Sequence, residues 1–115
     1  MHTPAIRLPA AECFARVRTG AAVLADVREP SEWTSGVAHL AALLPLSDLV
    51  GDRAHWKPFL QAQRTAKREI LVYCAAGARS NQVAQTLANE GFRAANVGSL
   101  REWAAAGWQI VPPTP

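Results

Sequence analysis

Short runs of apolar residues recur along the chain, and the segments between them carry apolar residues at helical spacing. The clearest runs are residues 22–27, interrupted only by Asp26, and residues 70–73. Continuous apolar runs of this length are typical of strands whose two faces are both covered by helices. Three weaker runs are also interpreted as strands, and they cover residues 6–8, 41–46 and 94–97. The alternation of strands and helices predicts an α/β fold with a central, mainly parallel sheet of about five strands.

Helices are predicted between these strands. The spacing of apolar residues and the position of glycines and prolines place them at residues 9–18, 30–34, 56–66, 79–90 and 100–106. Pro30 suits the first turn of the second helix, with Glu29 as its cap. Gly20 and Gly91 suit the ends of the first and fourth helices. Residues 47–55 show no clear pattern.

A cysteine stands where the run 70–73 meets the fourth helix. Cys74 ends the predicted strand, and the small residues that follow it can curl so that successive backbone N–H groups point inward. Such a loop, at a helix N-terminus and beside the fixed charge of Arg79, favours the thiolate, which is the reactive form of the side chain. Ser80 is expected to cap this helix, or else to donate its hydroxyl to the sulfur. The small loop residues are Ala75, Ala76, Gly77 and Ala78.

Two interpretations of Cys74 compete. A free cysteine is more often a buried, inert hydrophobe than a nucleophile. Burial alone, however, does not require the glycine, the arginine and the cap that follow Cys74, so the nucleophile is favoured. Cys13 is assigned the inert role, because it lies four residues before Val17 on one face of the first helix and nothing around it in sequence would lower its pKa.

Asp26 and Arg28 are charged residues at the carboxyl end of the second predicted strand. Open α/β folds place their sites at this edge of the sheet. A supporting role is favoured over chemistry for both residues, in which hydrogen bonds and an ion pair hold the neighbouring loops.

Length and composition predict a single domain over residues 1–115, expected to be a monomer or a weak dimer. Half of the residues are hydrophobic and the net charge is only +3, which disfavours a nucleic-acid partner and suits a small anionic substrate. Neither a signal peptide nor a membrane-spanning run is recognised, so a cytoplasmic location is expected. Two cysteines and three scattered histidines predict neither a disulfide framework nor a metal site. The proline-rich residues 111–115 are expected to form a disordered tail.

The pattern Cys-x-x-Gly-x-Arg-Ser at residues 74–80, preceded far upstream by Asp26-Val27-Arg28-Glu29-Pro30, resembles the motifs of the single-domain rhodanese (sulfurtransferase) family. The resemblance extends over residues 8–108. It implies a rhodanese-like three-layer fold and a catalytic Cys74 that carries a persulfide. The loop from Ala75 to Ser80 would bind the substrate, and no metal or organic cofactor is implied.

The sequence departs from this family in the loop and in two turns. In the family a basic residue directly after the cysteine goes with thiosulfate, whereas Ala75 is neutral here and Arg79 is the only cation of the loop. The turn at residues 36–41 lacks the family's proline and glycine, and Ser99 replaces one of two glycines. The sulfur donor is therefore left as a small anion, either thiosulfate or a thiol persulfide. The acceptor is left as a thiol, cyanide or a sulfur-relay protein.

Two other functions stay open. The chain could be a catalytically silent binding or regulatory module of the same fold, in which case Cys74 would have an ordinary pKa. It could instead be a cysteine-dependent phosphatase or arsenate reductase. Tyrosine phosphatases space the cysteine and the arginine by five residues, whereas only four stand between Cys74 and Arg79, and this alternative is therefore disfavoured.

Overall fold

The structure, a computed structural model, describes residues 6–114. Its strands are β1 (Ile6–Arg7), β2 (Ala22–Asp26), β3 (Val37–Ala38), β4 (Ala42–Leu43), β5 (Glu69–Cys74), β6 (Ala94–Ser99) and β7 (Ile110–Val111). Five of them form a parallel sheet in the order β1-β6-β5-β2-β4, and β3 pairs with β7 in a separate antiparallel ladder. The prediction of a central, mainly parallel sheet of about five strands is confirmed.

The helices agree with the sequence prediction except at Leu46–Val50, where no helix was predicted. They are a 3₁₀ helix (Ala10–Cys13), α1 (Phe14–Thr19), α2 (Pro30–Trp33), α3 (Leu46–Val50), α4 (Trp56–Ala66), α5 (Ala78–Asn89) and α6 (Leu100–Ala105). The predicted bounds of α4 are confirmed, and the first helix ends at Gly20, which has a φ of +80°. No described helix is both long enough and apolar enough to cross a membrane.

The strand predicted over residues 41–46 is wrong in its second half. The ladder with β2 closes after Leu43, and Leu46 begins α3. Pro45 has no backbone N–H to continue a ladder, and its fixed φ suits the residue before a helix. The N–H groups of Leu44 and Leu46 still donate to the carbonyls of Asp26 and Val27, so this segment stays beside β2 as it turns into α3.

The tail is ordered further along the chain than its composition suggests. Val111 was expected to belong to a disordered tail, but it pairs with Val37 in the β3–β7 ladder. A chain segment with prolines on one side still forms a strand when a distant partner supplies the hydrogen bonds. The expectation for Pro115 lies outside the described residues.

The core lies on both faces of the sheet, as a three-layer fold requires. One face packs against α3, α4 and α5, and the other packs against the 3₁₀ helix, α1 and α6. Alternate residues of β5 serve the two faces, so Cys74 points to the first and Tyr73 to the second. Cys13 lies fully buried on the second face, which confirms its prediction as a core residue.

A buried polar network ties the carboxyl end of β2 to its surroundings. The Arg28 guanidinium forms an ion pair with Asp26 at 2.8 Å and donates to the carbonyls of Glu32 and Gly36. The Tyr73 hydroxyl donates to the Asp26 carboxylate at 2.7 Å and accepts from the N–H of Ala38 at 2.9 Å. Burial and the nearby Asp26 carboxylate raise the pKa of Tyr73. The tyrosine therefore stays neutral and serves as both donor and acceptor.

Replacing Tyr73 by phenylalanine removes only this hydroxyl. The buried N–H of Ala38 loses its acceptor and the Asp26 carboxylate loses a donor. We expect Tyr73→Phe to lower the free energy of unfolding by about 1–3 kcal/mol. Denaturation in guanidinium chloride measures the change.

Thr65→Val is the matched control, because it also removes one hydroxyl, an exposed one that donates to the carbonyl of Gln61. Its effect should stay within about 0.5 kcal/mol. If Tyr73→Phe were as stable as the parent protein, the network would not depend on the hydroxyl.

Candidate active site

Cys74 ends β5, the central strand of the parallel sheet. The pairing of β5 with β6 shifts between Val72 and Cys74, so that Cys74 lies opposite Ser99. Beyond it the chain turns at Gly77, whose φ of +97° is a left-handed conformation that favours glycine, and enters α5. The strand and the helix thus hold the sulfur at the edge where parallel α/β folds place their sites.

The sulfur of Cys74 accepts hydrogen bonds from the loop that follows it. The N–H of Gly77 lies 3.0 Å from Sγ and the N–H of Ser80 lies 3.3 Å from it. The Ser80 hydroxyl is also 3.3 Å from Sγ. These donors, with residues 75–80 as a whole, are called the cradle below. The small loop residues predicted that backbone N–H groups would point inward, and those of Gly77 and Ser80 do so.

The pKa of Cys74 reflects two opposed effects. Burial of the thiol raises it, since a charge is costly away from water. The hydrogen bonds from the Ser80 hydroxyl and from the backbone N–H groups of Ser80, Ala76 and Gly77 act the other way. They outweigh burial, and the pKa lies below its ordinary value of 9.0. The structure thus favours the thiolate over an inert thiol.

The prediction that Ser80 caps α5 is wrong. The helix begins at Ala78, Gly77 is its N-cap residue, and Ser80 lies inside the first turn. The reason is the left-handed Gly77, which starts the helix earlier than the side-chain pattern indicates. The alternative prediction was that the Ser80 hydroxyl donates to the sulfur. The hydroxyl does lie 3.3 Å from Sγ, but its nearest acceptor is the amide oxygen of Asn96 at 2.7 Å.

Arg79 does not reach into the cradle as an isolated cation. Its guanidinium forms a bidentate ion pair with Glu32 of α2, at 2.6 and 2.8 Å. The hydrogen bonds from Arg79 lower the pKa of Glu32 to about 2, and the same pairing raises the pKa of Arg79. Both groups stay ionised at neutral pH, so much of the positive charge of Arg79 is neutralised by Glu32.

Glu32 is a residue that the sequence analysis missed. Its part in a capping box with Glu29, at the start of α2, has a recognisable local signal in the spacing of two glutamates around Pro30. Its pairing with Arg79 has none, because the two residues are 47 positions apart.

Asn96 is the second residue that was missed. Its side chain lies buried under the cradle, where it accepts from the Ser80 hydroxyl at 2.7 Å and donates to the carbonyl of Gly77 at 3.1 Å. Its Oδ1 also accepts from the N–H of Gly98 at 3.0 Å. The available signal was an amide inside the apolar run 94–97, where a side chain of that kind needs partners.

The remaining predicted residues surround this arrangement. Ala75, Ala76 and Ala78 are exposed and form the outer side of the cradle. Asp26 and Arg28 lie at the end of the neighbouring strand, and through the carbonyl of Glu32 the arginine holds α2 in place. Ser99, in the altered turn, caps α6 by accepting from the N–H of Glu102.

The arrangement has clear chemical properties. A cysteine sulfur whose pKa is lowered lies among N–H donors at the N-terminus of a helix, with exposed alanines on the outer side. Such a group can attack an electrophilic sulfur or phosphorus atom, and the donors can hold the charge that develops.

Comparisons with known proteins agree with this geometry. The family model described as Rhodanese-like domain matches residues 10–106. A protein of Allochromatium vinosum named sulfurtransferase is 32% identical over 93 residues, which is 79% of each chain.

Solved structures show the same fold. A rhodanese-related protein from Thermoplasma volcanium superposes with a TM-score of 0.75 and 27% identity, over 96% of this chain and all of that one. A human single-domain sulfurtransferase superposes with a TM-score of 0.68 and 26% identity, over 90% of this chain and 96% of that one.

The two cysteines are expected to differ in reactivity for reasons of pKa. Both thiols are almost fully buried, so exposure does not separate them. Burial raises the pKa of Cys13, whereas the cradle lowers that of Cys74. Iodoacetamide at neutral pH should therefore alkylate Cys74 well before Cys13, with a rate that titrates at a midpoint below 9.0. Peptide mass spectrometry over time and pH measures both rates.

Cys74→Ser is the control, since it leaves Cys13 as the only thiol. Alkylation of the parent protein at Cys13 first, or at equal rates at both positions, would contradict the assignment.

Proposed function

The chain belongs to the rhodanese-like domain family, and on that premise we propose that it is a sulfurtransferase that moves a sulfane sulfur through a persulfide on Cys74. The observation that carries the proposal is the sulfur of Cys74, which accepts hydrogen bonds from the N–H groups of Gly77 and Ser80, so that its pKa lies below the ordinary value. A relative named sulfurtransferase, which shares 32% identity, supports the same reaction class.

The first half-reaction forms a bond between Sγ of Cys74 and the outer sulfur of the donor. The bond between the two sulfurs of the donor breaks, and the donor leaves as sulfite from thiosulfate or as a thiolate from a thiol persulfide. No net oxidation occurs, because one sulfur–sulfur bond replaces another. The N–H groups of the cradle hold the negative charge on the sulfur as it moves outward.

The second half-reaction returns the enzyme to its resting state. A nucleophilic acceptor attacks the outer sulfur of the persulfide, and Cys74 leaves as the thiolate that the cradle already favours. Cyanide would leave as thiocyanate and a thiol as its own persulfide. A sulfur-relay protein would take the sulfur on a cysteine in the same way. A reducing cytoplasm suits this chemistry, since it keeps Cys74 free.

A thiol persulfide is the better candidate for the donor than thiosulfate. Thiosulfate is a dianion, and the outer residues of the cradle, Ala75 and Ala76, are neutral. The nearest cation, Arg79, is already paired with Glu32. The cradle therefore offers no unpaired positive charge that would draw in a dianion.

Exposure to a sulfur donor tests the proposal directly. We expect the protein to gain the mass of one sulfur atom from glutathione persulfide, and to gain it less completely from thiosulfate, because Ala75 and Ala76 are neutral. Intact-mass spectrometry after removal of the donor measures the gain.

The Cys74→Ser variant should gain nothing, because burial raises the pKa of the remaining thiol, Cys13. Absence of a gain from both donors in the folded parent protein would favour a silent binding module. Hydrolysis of phenyl phosphate that is lost in Cys74→Ser would instead favour a phosphatase.

Replacing Arg79 by alanine should slow transfer with little loss of folding. The substitution removes the ion pair that fixes α2 against α5 and takes away the only cation of the cradle. We expect a loss on the order of 10- to 100-fold in kcat/KM, since α2 and α5 lose the ion pair that positions them and the Glu32 carboxylate is left without its partner. Steady-state sulfur transfer from glutathione persulfide to cyanide measures it.

Arg53→Ala is the matched control. Arg53 forms an equally bidentate ion pair with Glu90, outside the cradle, so its removal should change kcat/KM less than about 2-fold. Equal effects of the two substitutions would show that Arg79 acts only through general stability.

A further inference from the structure

The Ser80 hydroxyl has one proton and four neighbouring acceptors. These are Sγ of Cys74 at 3.3 Å, Oδ1 of Asn96 at 2.7 Å, and the carbonyls of Gly77 at 3.2 Å and Gly98 at 3.4 Å. The amide oxygen of Asn96 is the nearest. The position of the hydroxyl against the sulfur is therefore set by the amide as well as by the helix that carries Ser80.

The orientation of the Asn96 amide is fixed by its other two contacts. The N–H of Gly98 can only donate, so it identifies Oδ1 as the atom that faces it at 3.0 Å. The carbonyl of Gly77 can only accept, so it identifies Nδ2 as the atom 3.1 Å away. The amide thus joins the turn of the cradle at Gly77, the first turn of α5 at Ser80 and the end of its own strand β6.

A generic packing role does not explain this residue. Asn96 is almost fully buried in a strand whose neighbours Ala95 and Val97 belong to the core. A leucine of similar size would fill the same position without the cost of burying an amide. The hydrogen bonds of the amide instead go to the groups that shape the cradle.

We propose that Asn96 is a positioning residue for Cys74, which holds the carbonyl of Gly77 and the hydroxyl of Ser80 so that the N–H groups of both residues stay directed at the sulfur. The hydrogen bonds of its amide go to Ser80, Gly77 and Gly98 and not to the sulfur. Its effect passes through the two residues that do contact Sγ.

The charged groups around Cys74 do not duplicate this role. Arg79 on α5 is paired with Glu32 of α2, and Asp26 on β2 is paired with Arg28 on the opposite face of the sheet. Arg7 on β1, which lies beside Gly98, is paired with Glu102 of α6. The hydrogen bonds of the Asn96 amide go to none of these side chains, so removal of Asn96 leaves the three ion pairs in place. A change in the pKa of Cys74 would then report the hydrogen bonds of the cradle.

Asn96→Leu tests the proposal through the pKa of Cys74. Loss of the three hydrogen bonds should loosen the donors on Sγ and raise the pKa by about one unit, with roughly 10-fold slower alkylation at neutral pH. Iodoacetamide alkylation against pH gives this value. Transfer from glutathione persulfide should fall by a similar factor at neutral pH and recover at alkaline pH, where Cys74 is a thiolate in both proteins.

Gln63→Leu is the matched control, because it replaces a second buried amide by the same residue. Gln63 lies on α4, and its backbone carbonyl accepts from Arg68, at the end of β5 opposite Cys74. We expect no change in the pKa of Cys74 in this variant, whatever its effect on stability. Asn96→Ala is made in parallel, since it removes the same hydrogen bonds without the shape of leucine.

The proposal for Asn96 rests on the assignment of Cys74 as the sulfur carrier. Alkylation needs no sulfur donor, so the role of Asn96 and the sulfurtransferase function are tested separately. An unchanged pKa in a folded Asn96→Leu protein would overturn it. A lowered pKa would also overturn it, because the amide would then be drawing the proton of Ser80 away from the sulfur. If neither Asn96 variant folded, the amide would be needed for the stability of β6, and this result would count against the proposal.

Discussion

The site depends on a balance at one atom, the sulfur of Cys74. Burial in the sheet opposes a negative charge there, and N–H and hydroxyl donors from the following turn favour it. Much of the surrounding structure serves those donors. A central strand fixes the sulfur, a left-handed glycine turns the chain back over it, and a helix begins with its N–H groups directed inward. The charged side chains of this region are engaged with one another and not with the sulfur.

Two ion pairs connect the site to the rest of the domain. The pair Asp26–Arg28 is buried between β2, α2 and Tyr73, whereas the pair Glu32–Arg79 is partly exposed and joins α2 to α5. The short helix α2 lies between them and contributes to both, through its carbonyl to Arg28 and through its carboxylate to Arg79. The site is thus built from strand ends and helix starts that are held in position by charge pairs.

The parts of this structure that could be predicted from sequence are those with local signals. Helix α4, the strand that ends at Cys74 and the burial of Cys13 follow from periodicity. The loop between Cys74 and Ser80 follows from its small residues. The pairing of Val37 with Val111, the contact of Glu32 with Arg79 and the position of Asn96 under the cradle join residues far apart in the chain. No local pattern encodes such contacts. Ser80 was predicted to be the N-cap residue of α5, but it lies inside the first turn because Gly77 sets where the helix starts.

The β3–β7 ladder has a consequence for the order in which the domain is made. Ala38 of β3 donates its N–H to the hydroxyl of Tyr73. The partner of β3 is β7, the last strand in the described residues. During synthesis from the N-terminus, β3 emerges from the ribosome long before Ile110 and Val111 exist. The central sheet, in which Cys74 lies at the carboxyl end of β5, can assemble before β3 has its partner strand β7. The β3–β7 ladder is therefore completed only after residues 110–111 have left the ribosome.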